Sequence, residues 1–466
     1  MEVLQRLHNR GSISTGEYQI DNSVKMEQDN TERMYKSWGS GSGDRRTWTI
    51  SCWVKRTELG DLQYMWGAGT GGLDFLGLSF DADDTLRFRH YTSAEYCIKK
   101  TNRLFRDISA WYHIVVAVDT TDGTAGNRQK IYINGIEETS FQTSTDFDQN
   151  RETPHNQASG YFEVGTMIGS ADRFNGYISE LYSISGLQLA PTDFGKFDDN
   201  GVWIPIDYAG SYPGNSVRLE FKNASSMGDD TGGNHNSQPL TLQNIDASDQ
   251  ATDTPTNNFA TINPLFKYPG SQVIKEGATK VTRTSGSGLN KTFLSTIGVN
   301  GGKWYAEFKP TASSNYVVGI IPESTHNTVA FDGNYIGNSA FPSSIGYYSD
   351  TGQKIIAPNG GSDYGGSYTT NDIISIALDM DNYRVQFHKN GVVQALSAYI
   401  DLTLDETTFI AFSYDSSGEM EVNFGGYHVN SLSSAASDEN GYGSFEYAPP
   451  SGYLALCTKN LASTGG

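Results

Sequence analysis

The segment Trp48-Thr49-Ile50-Ser51-Cys52-Trp53-Val54-Lys55 alternates bulky side chains with small or polar ones. A period of two residues is the pattern of a β-strand with one buried face. Further along, residues 111–119 are nearly continuous in β-branched side chains, which predicts a central strand covered on both faces. The chain around these two segments is therefore predicted to be β-sheet.

Two hairpins are predicted between and after these strands. Residues 73–80 and 85–91 read as strands joined by a turn at residues 81–84, and residues 129–137 turn at Asn134-Gly135. An Asn-Gly pair is suited to a type I′ turn, because both of its central residues take a positive φ. No helical periodicity beyond one turn interrupts this set.

A second β pattern begins after residue 264 and is not a copy of the first. Its predicted strands recur with turn signals about every 8–12 residues, the spacing of a β-sandwich. They are residues 302–309, 316–321, 344–348, 372–391 as an antiparallel pair, 408–413 and 419–425. The predicted fold class is therefore all-β, with two β-sandwich (jelly-roll) domains in tandem and a short N-terminal arm.

Composition shifts predict the domain boundaries. Residues 1–20 form the arm, which is either a frayed terminus or a segment that attaches to another subunit. The first sandwich then spans residues 21–222. Residues 223–263 are so rich in Ser, Thr, Asn, Asp and Gly that a polar connector is predicted. The second sandwich, with a C-terminal extension, spans residues 264–466.

Charge and composition exclude several classes of protein. The 466 residues carry a net charge of −20, so a phosphate backbone would meet a surface of like sign and nucleic acid is not expected as a partner. No run approaches the ~18 apolar residues of a membrane-spanning helix, and the first residues are too polar for a secretory signal. The three cysteines, Cys52, Cys97 and Cys457, are too few and too widely spaced for a disulfide framework or a zinc cluster, which predicts buried thiols.

A search for catalytic residues gives no candidate. Glu137 and Glu138 are adjacent and therefore point to opposite faces of a strand. Asp379 and Asp381 share a face, but they lie at a predicted hairpin turn, where Asp is common. His113 lies in an apolar strand, where a hydrogen-bonded core imidazole is expected. We therefore predict no catalytic residue and no metal ligand set, and the protein is not expected to be an enzyme.

Tyrosines in glycine-rich loops of the second domain are the candidates for binding. They are Tyr335, Tyr364 and Tyr368, each close to several glycines. Exposed aromatic rings stack on sugars and contribute strongly to protein interfaces, and loops on a rigid sandwich commonly carry binding residues. The alternative is that these rings lie flat on their own domain or face a neighbouring subunit.

Both halves of the chain carry motifs of known β-sandwich families. The first half resembles a laminin-G or concanavalin-A-like jelly roll on residues 48–55, 111–116, 131–135 and 174–181 in that order. The second half resembles a SPRY domain, on Lys303-Trp304-Tyr305-Ala306-Glu307-Phe308, residues 344–347, and residues 376–379 leading to Phe387-His388-Lys389-Asn390-Gly391. Both families are sandwiches, as the two-residue period predicts.

The pairing of the two domains, with residues 445–461 at its end, is similar to a recurrent type of structural protein from tailed bacteriophages, notably marine ones. This resemblance implies a non-enzymatic virion surface protein, a tail fibre or appendage subunit that assembles on the particle and contacts the host surface. Two alternatives stay open: a head decoration or fibre protein of the capsid, and a glycan-degrading tail enzyme.

The same resemblance implies partners and a location. A host surface glycan or protein is the expected target, and a homo-oligomer, with a trimer as the first guess, is expected. The N-terminal arm matches neither family, so its expected binding to other virion proteins is inferred from its position alone. The sequence itself predicts no membrane insertion. The protein would be made in the host cytoplasm and lie at the particle surface. Laminin-G-like sandwiches often hold calcium, and the acidic residues of 81–84 and 119–123 offer oxygen ligands, so calcium stays open beside ordinary acidic turns. No other cofactor is expected.

Overall fold

The computed structural model describes residues 18–39, 43–232, 238–266, 272–283, 291–326, 334–358, 360–395, 399–415, 417–429 and 431–464. Most of the predicted N-terminal arm, residues 1–17, lies outside this range. The described residues form two compact units that divide between Thr256 and Asn257. Strands far outnumber helices among the described residues, and the predicted pair of tandem β-sandwich domains is confirmed.

Some strands of the first domain alternate buried and less buried residues, as residues 129–133 do, whereas residues 47–56 and 176–185 are buried along nearly their whole length. The strands of this domain are β1 (Ser23–Met26), β2 (Arg33–Ser37), β3 (Thr47–Arg56), β4 (Gln63–Gly71), β5 (Asp74–Phe80), β6 (Thr85–Thr92), β7 (Glu95–Leu104), β8 (Tyr112–Asp119), β9 (Gln129–Ile133), β10 (Ile136–Glu137), β11 (Phe141–Thr145), β12 (Tyr161–Val164), β13 (Gly176–Ser185), β14 (Gly195–Phe197), β15 (Trp203–Pro205), β16 (Val217–Leu219), β17 (Thr241–Gln243) and β18 (Gln250–Ala251). Short 3-10 turns span Ala125–Asn127, Pro191–Asp193 and Ala247–Asp249.

Two sheets of the first domain pack face to face. One has the order β10-β9-β8-β3-β13-β1-β18, with β16 beside β13, and the other has the order β11-β7-β6-β5-β4-β12-β2-β17. Between them lies a core that includes Trp48, Trp66, Phe88 and Val116, all fully or almost fully buried. Successive residues of a strand point to opposite faces, so Val115 points outward, where residues 187–212 cover it. We call residues 187–212 the first covering segment.

The second domain repeats this plan with its own strands. They are β19 (Gln272–Lys275), β20 (Lys280–Arg283), β21 (Lys291–Val299), β22 (Lys303–Pro310), β23 (Tyr316–Pro322), β24 (Ile345–Tyr348), β25 (Gln353–Ile356), β26 (Gly360–Asp363), β27 (Ile374–Asp379), β28 (Arg384–Lys389), β29 (Val392–Val393), β30 (Ile400–Asp401), β31 (Thr408–Tyr414), β32 (Met420–Asn423) and β33 (Leu454–Ala455). A 3-10 turn spans Pro264–Phe266, and short α-helices span Glu323–His326 and Thr458–Thr464.

Again two sheets enclose a core. The larger has the order β19-β20-β32-β22-β27-β28-β29, with β30 beside β28 and β33 beside β22, and the smaller has the order β21-β31-β23-β24-β25-β26. Trp304, Phe308 and Phe412 are among the buried residues between them. On the outer face of the smaller sheet, Ile336 and Phe341 pack against Val317 and Phe409. These two belong to residues 334–344, which we call the second covering segment.

The C-terminal extension covers the outer face of the larger sheet. Phe445 lies edge-on to Tyr305, with ring centroids 5.0 Å apart, and β33 pairs in parallel with β22. The buried carboxylate of Glu307 accepts hydrogen bonds from the backbone N–H groups of Glu446 (2.9 Å) and Tyr447 (2.8 Å). One buried side chain of β22 therefore fixes the register of this extension.

The local turn predictions are confirmed. The hairpin of β5 and β6 turns through residues 81–84, and β9 and β10 turn at Asn134-Gly135. Both Asn134 (φ 48°) and Gly135 (φ 80°) have positive φ, as a type I′ turn requires.

The predicted polar connector differs from the structure. Within residues 223–263, β17 pairs with β2 and β18 pairs with β1, so the chain as far as Thr256 belongs to the first domain. The few apolar residues of this stretch, such as Leu240 and Ile245, lie in the first core. A segment that is polar on average is therefore held by backbone pairing and a few buried side chains.

Two further expectations concern the cysteines and the membrane. All three cysteines are buried and none forms a disulfide, as predicted. In the part of the chain that the structure describes, no helix has the length and apolar character needed to span a bilayer.

Candidate binding site

Two of the three predicted binding tyrosines are buried. Tyr364 is 8% exposed, and its hydroxyl oxygen accepts a hydrogen bond from the backbone N–H of Phe387 (3.1 Å). Tyr368 is 4% exposed, and its hydroxyl lies 2.8 Å from the carbonyl oxygen of Tyr347, to which it donates. Burial raises the pKa of Tyr368 well above its ordinary value.

The expectation of exposed rings is therefore wrong for Tyr364 and Tyr368. Each ring faces the core, and each hydroxyl finds a backbone partner there. The alternative stated from the sequence, rings folded onto their own domain, describes both residues. Any part that they take in binding stays a prediction.

Tyr335 has a different environment. It is half-buried in the second covering segment, and it lines a cavity of about 230 Å³ on the smaller sheet of the second domain. The other residues that line this cavity are Asn315, Val317, Tyr348, Ile355, Ser413, Tyr414 and Asp415. The cavity thus combines three tyrosines, an apolar wall, a serine, an amide and a carboxylate.

The strand register of the smaller sheet assembles the floor of this cavity. Val317 of β23 lies directly opposite Ser413 of β31 on one side and Tyr348 of β24 on the other. Residues that face each other across antiparallel strands share one face of the sheet, so these three side chains form a row. The adjacent row contains Ile355 of β25, which lies opposite Gly346.

Hydrogen bonds fix the covering segment that carries Tyr335. The backbone N–H of Ile336 donates to Ser413 Oγ (3.1 Å), and Thr292 Oγ1 donates to the carbonyl oxygen of Asn334 (2.9 Å). These bonds hold the backbone on both sides of Tyr335 against the sheet. The wall of the cavity is therefore positioned by the sheet itself.

The charges beside this cavity are acidic. Burial raises the pKa of Tyr348, and the carboxylates of Asp350 and Asp415 raise it further because they disfavour a second negative charge nearby. Asp350 is exposed in the turn after β24. A neutral or positively charged group therefore suits this site better than an anion.

Comparison with protein families assigns both domains. Residues 30–185 match the family model of the concanavalin A-like lectin/glucanase superfamily, and residues 303–427 match that of the SPRY domain. The chain contains a concanavalin A-like domain followed by a SPRY domain. The Tyr335 cavity lies in the SPRY domain. No curated protein matches the chain.

Several solved structures are similar to one part of the chain or another. The SPRY domain of human HERC1 is 20% identical with a TM-score of 0.28, covering 34% of this chain and 96% of its own. A native heptameric SAP-like pentraxin from Limulus polyphemus is 14% identical with a TM-score of 0.30, covering 43% and 93%. Domain 4 of AbnA, a GH43 arabinanase from Geobacillus stearothermophilus solved with arabinotriose, is 19% identical with a TM-score of 0.30, covering 39% and 79%.

The acidic pair Asp379 and Asp381 forms the predicted turn in the SPRY domain. Asp379 is fully buried and accepts hydrogen bonds from Arg384 Nε (3.0 Å) and the backbone N–H of Asn382 (3.1 Å). Asp381 accepts from the backbone N–H of Gly302 (2.7 Å). Both carboxylates therefore hold backbone in place, which accounts for their spacing.

The first acidic loop considered for calcium, in the concanavalin A-like domain, is held by basic side chains. Asp81 lies 3.1 Å from Arg87 and 3.2 Å from Lys100, and Asp84 lies 3.2 Å from buried Arg56. These carboxylates already have cationic partners. In the described part of the chain, no group of three or more His, Cys, Asp or Glu residues is arranged to hold a metal.

The second acidic loop folds on itself. Asp119 accepts a hydrogen bond from the backbone N–H of Thr121 (2.9 Å), and Asp122 accepts one from the backbone N–H of Thr124 (2.6 Å). Such bonds are typical of Asx turns. Calcium at either loop stays a prediction.

His113 is the hydrogen-bonded core imidazole that the sequence predicts. Its Nδ1 accepts from the indole N–H of Trp203 (3.0 Å), so Nε2 carries the proton toward Ser51 Oγ, 2.8 Å away. The ring stacks between Trp53 and Trp203, with centroids 4.7 and 5.9 Å apart. Complete burial lowers the pKa of His113 to about 3, so the imidazole is neutral.

Tyr348 lines the cavity but was not predicted as a site residue from the sequence. It ends the predicted strand 344–348, and alternation along β24 turns Tyr347 into the core and Tyr348 to the outer face. This alternation was a usable signal. The contribution of Asn315 and Asp415 was not visible, because they come from loops that meet only in the folded domain.

Proposed function

We propose that this protein is a non-enzymatic surface-binding protein whose SPRY domain engages its target at the Tyr335 cavity. Lectin-like and SPRY domains are consistent with carbohydrate or protein binding. The observation that carries the proposal is a cavity of about 230 Å³ in which Tyr335 and Tyr348 stand over an apolar wall and beside acidic groups. Concave sites that combine aromatic rings with a few polar groups are the usual form of binding sites.

We propose further that the protein is a structural component of a tailed-bacteriophage virion, as a tail fibre or appendage subunit. The support is the resemblance of the domain order and of residues 445–461 to that type of protein. Each sandwich domain suits a scaffold that presents loops to solvent.

The binding proposal is tested with the purified full chain on glycan and peptide arrays, followed by affinity measurements on the best ligand. Tyr335→Ala and Tyr348→Ala are each expected to weaken that ligand about tenfold, which corresponds to ~1.4 kcal/mol. Tyr447→Ala is the matched control, because Tyr447 is half-buried against Gly391, away from the cavity. Equal affinities for all three variants would remove the cavity as the binding site.

The virion proposal needs a different measurement. An antibody against residues 264–466 should label intact particles, and electron microscopy then shows where. Label on the tail supports the fibre or appendage role, and label on the head supports the decoration alternative. Purified particles that lack the protein altogether would contradict both.

The non-enzymatic part of the proposal rests on the structural use of the candidate carboxylates. Asp379 and Asp381 hold the turn that follows β27. We expect incubation with host envelope polysaccharides to give no shortened products. Depolymerisation that a single carboxylate substitution abolishes would instead establish the glycan-degrading alternative.

A further inference from the structure

The Tyr335 cavity is small for a whole ligand. At about 230 Å³ it lies below the range of roughly 300–1,000 Å³ that is usual for sites enclosing small molecules. It therefore suits one group that projects from a larger partner.

One wall of the cavity is apolar. Val317 is 4% exposed and Ile355 is half-buried, and both lie on the outer face of the smaller sheet. A straight aliphatic stem can lie along such a wall while its polar head stays at the rim. A short polar group without a stem would leave the exposed part of Ile355 in water.

The rim of the cavity favours a positive charge. Tyr335 and Tyr348 present aromatic rings, whose faces attract cations. Asp415 lines the cavity, and the carboxylates of Asp350 and Asp415 both act on the hydroxyl of Tyr348. Asp350 is exposed in the turn after β24.

The nearest basic side chain in sequence does not neutralise this rim. Lys354 precedes Ile355 on β25, and successive strand residues point to opposite faces. Lys354 also lies opposite Tyr347, which is fully buried in the core side of the sheet. Lys354 therefore lies on the core side of the sheet, away from the face that carries Tyr348.

We propose that the Tyr335 cavity takes the ammonium end of a lysine side chain that projects from a partner protein. The proposal rests on the binding function proposed above and names its ligand class. The four-carbon stem of lysine lies along Val317 and Ile355, and its ammonium group lies between the tyrosine rings and the acidic rim. A single side chain accounts for the small volume, the apolar wall and the charge together.

The test is a titration of the full chain with Nα-acetyl-lysine N-methylamide, followed by NMR or calorimetry. Nα-acetyl-norleucine N-methylamide is the neutral comparison, because it keeps the stem and lacks the ammonium group. We expect the lysine probe to bind with a Kd of about 1 mM and the neutral probe to bind at least about tenfold more weakly. Raising the salt concentration should weaken the lysine probe and leave the neutral probe unchanged.

Two matched variants locate the charge. Asp350→Asn is expected to weaken the lysine probe about threefold, whereas Asp363→Asn is expected to leave it unchanged. Asp363 is an exposed acid at the end of β26 on the same sheet, and, unlike Asp350, it is not among the charges that act on the hydroxyl of Tyr348. Asp350 is chosen because an exposed turn residue can be changed without unfolding the domain.

The outcomes separate this inference from the function on which it rests. Equal binding of the two probes, or binding of neither while an array ligand still depends on Tyr335, would overturn the lysine assignment and leave the binding site intact. Binding of glucosamine in place of the lysine probe would keep a cation but assign it to a glycan, which overturns the protein partner. Loss of every Tyr335-dependent ligand would overturn the binding function itself.

Discussion

The two covering segments differ in how completely they fill the sheet face beneath them. Each lies on the outer face of a sheet and would otherwise leave apolar side chains in water. The first fills its face with rings, since Trp203 packs on His113 and Phe194 packs near Tyr182. The second leaves a cavity beside Tyr335. The first covering segment fills its sheet face and so contributes stability. The second fills its face only in part and so leaves room for a binding site.

The largest change in the free energy of unfolding should come from a substitution in the first covering segment. Trp203→Ala removes a ring that contacts His113 and leaves the indole hydrogen bond unmade, so we expect a loss of about 3–5 kcal/mol in the free energy of unfolding of the first domain. Hydrogen exchange of the β8 amides, with urea unfolding, measures this loss. Phe197→Ala is the control, because Phe197 touches Trp203 but is 49% exposed, and it should lose less than about 1 kcal/mol.

Acid should weaken the first domain through His113. Its pKa is about 3 when folded and 6.5 ordinarily, so the folded state binds fewer protons between these values, and stability present above pH 6.5 is lost as the pH falls toward 3. Between pH 7 and pH 5 this amounts to about 2 kcal/mol. His113→Gln should reduce the pH dependence by that amount; an unchanged slope would show that His113 can be protonated without cost.

The second domain should respond to pH in the opposite direction through Glu307. Burial raises the pKa of Glu307 to about 7 from its ordinary 4.5, even though backbone N–H groups donate to it. The folded state then binds more protons in this window, so the stability contribution is complete below pH 4.5 and is lost as the pH rises through 7.

We expect about 2 kcal/mol of this contribution to be lost between pH 5 and pH 7. Glu307→Gln, followed by urea unfolding at both values, should remove this dependence. The amide cannot accept from Glu446 with its NH₂ group, so the variant is also expected to be less stable than the parent at pH 5. An unaltered pH dependence in this variant would assign the effect to another carboxylate.

The second covering segment should tolerate substitution of Tyr335. Tyr335→Ala is expected to change the free energy of unfolding by less than about 1 kcal/mol, because Tyr335 is half-buried and its segment is held by backbone hydrogen bonds. The same variant should weaken ligand binding. A loss of stability as large as that of Trp203→Ala would erase the contrast between the two covering segments.

The smallest effect is expected from calcium. Asp81 and Asp84 already have arginine partners, so millimolar calcium should move the melting temperature by less than about 1 °C. Thermal scans with calcium and with a chelator measure this. A clear calcium-dependent rise would restore a calcium site in one of the two acidic loops.

Local features of the fold could be predicted from the sequence, and features that depend on distant partners could not. The turn at Asn134-Gly135 is visible because two adjacent residues specify its dihedral angles. The pairing of β17 with β2 is not visible, because Thr241 and Tyr35 are some two hundred residues apart and their strands are short. Strand periodicity therefore predicted both sandwiches, but it placed the end of the first domain at residue 222, whereas the structure has it at Thr256.

The candidate site shows the same limit. Glycine near Tyr364 and Tyr368 indicates backbone freedom, but it does not say which way a ring turns, and both rings turn inward. Tyr335 was predicted by the same rule and lies at the cavity, because its segment crosses a sheet face instead of a strand edge. Side-chain direction there depends on hydrogen bonds to Ser413 that no local pattern contains.

The pairing of β1 with β18 has a consequence for synthesis. Ser23 lies opposite Ala251, so the first domain cannot complete its sheet until the ribosome has added more than two hundred residues after β1. Until then, the edge of β1 has backbone groups without their final strand, which favours slow, late closure. A nascent chain stopped before β17 should therefore remain sensitive to protease, and protection should appear once β18 has left the exit tunnel.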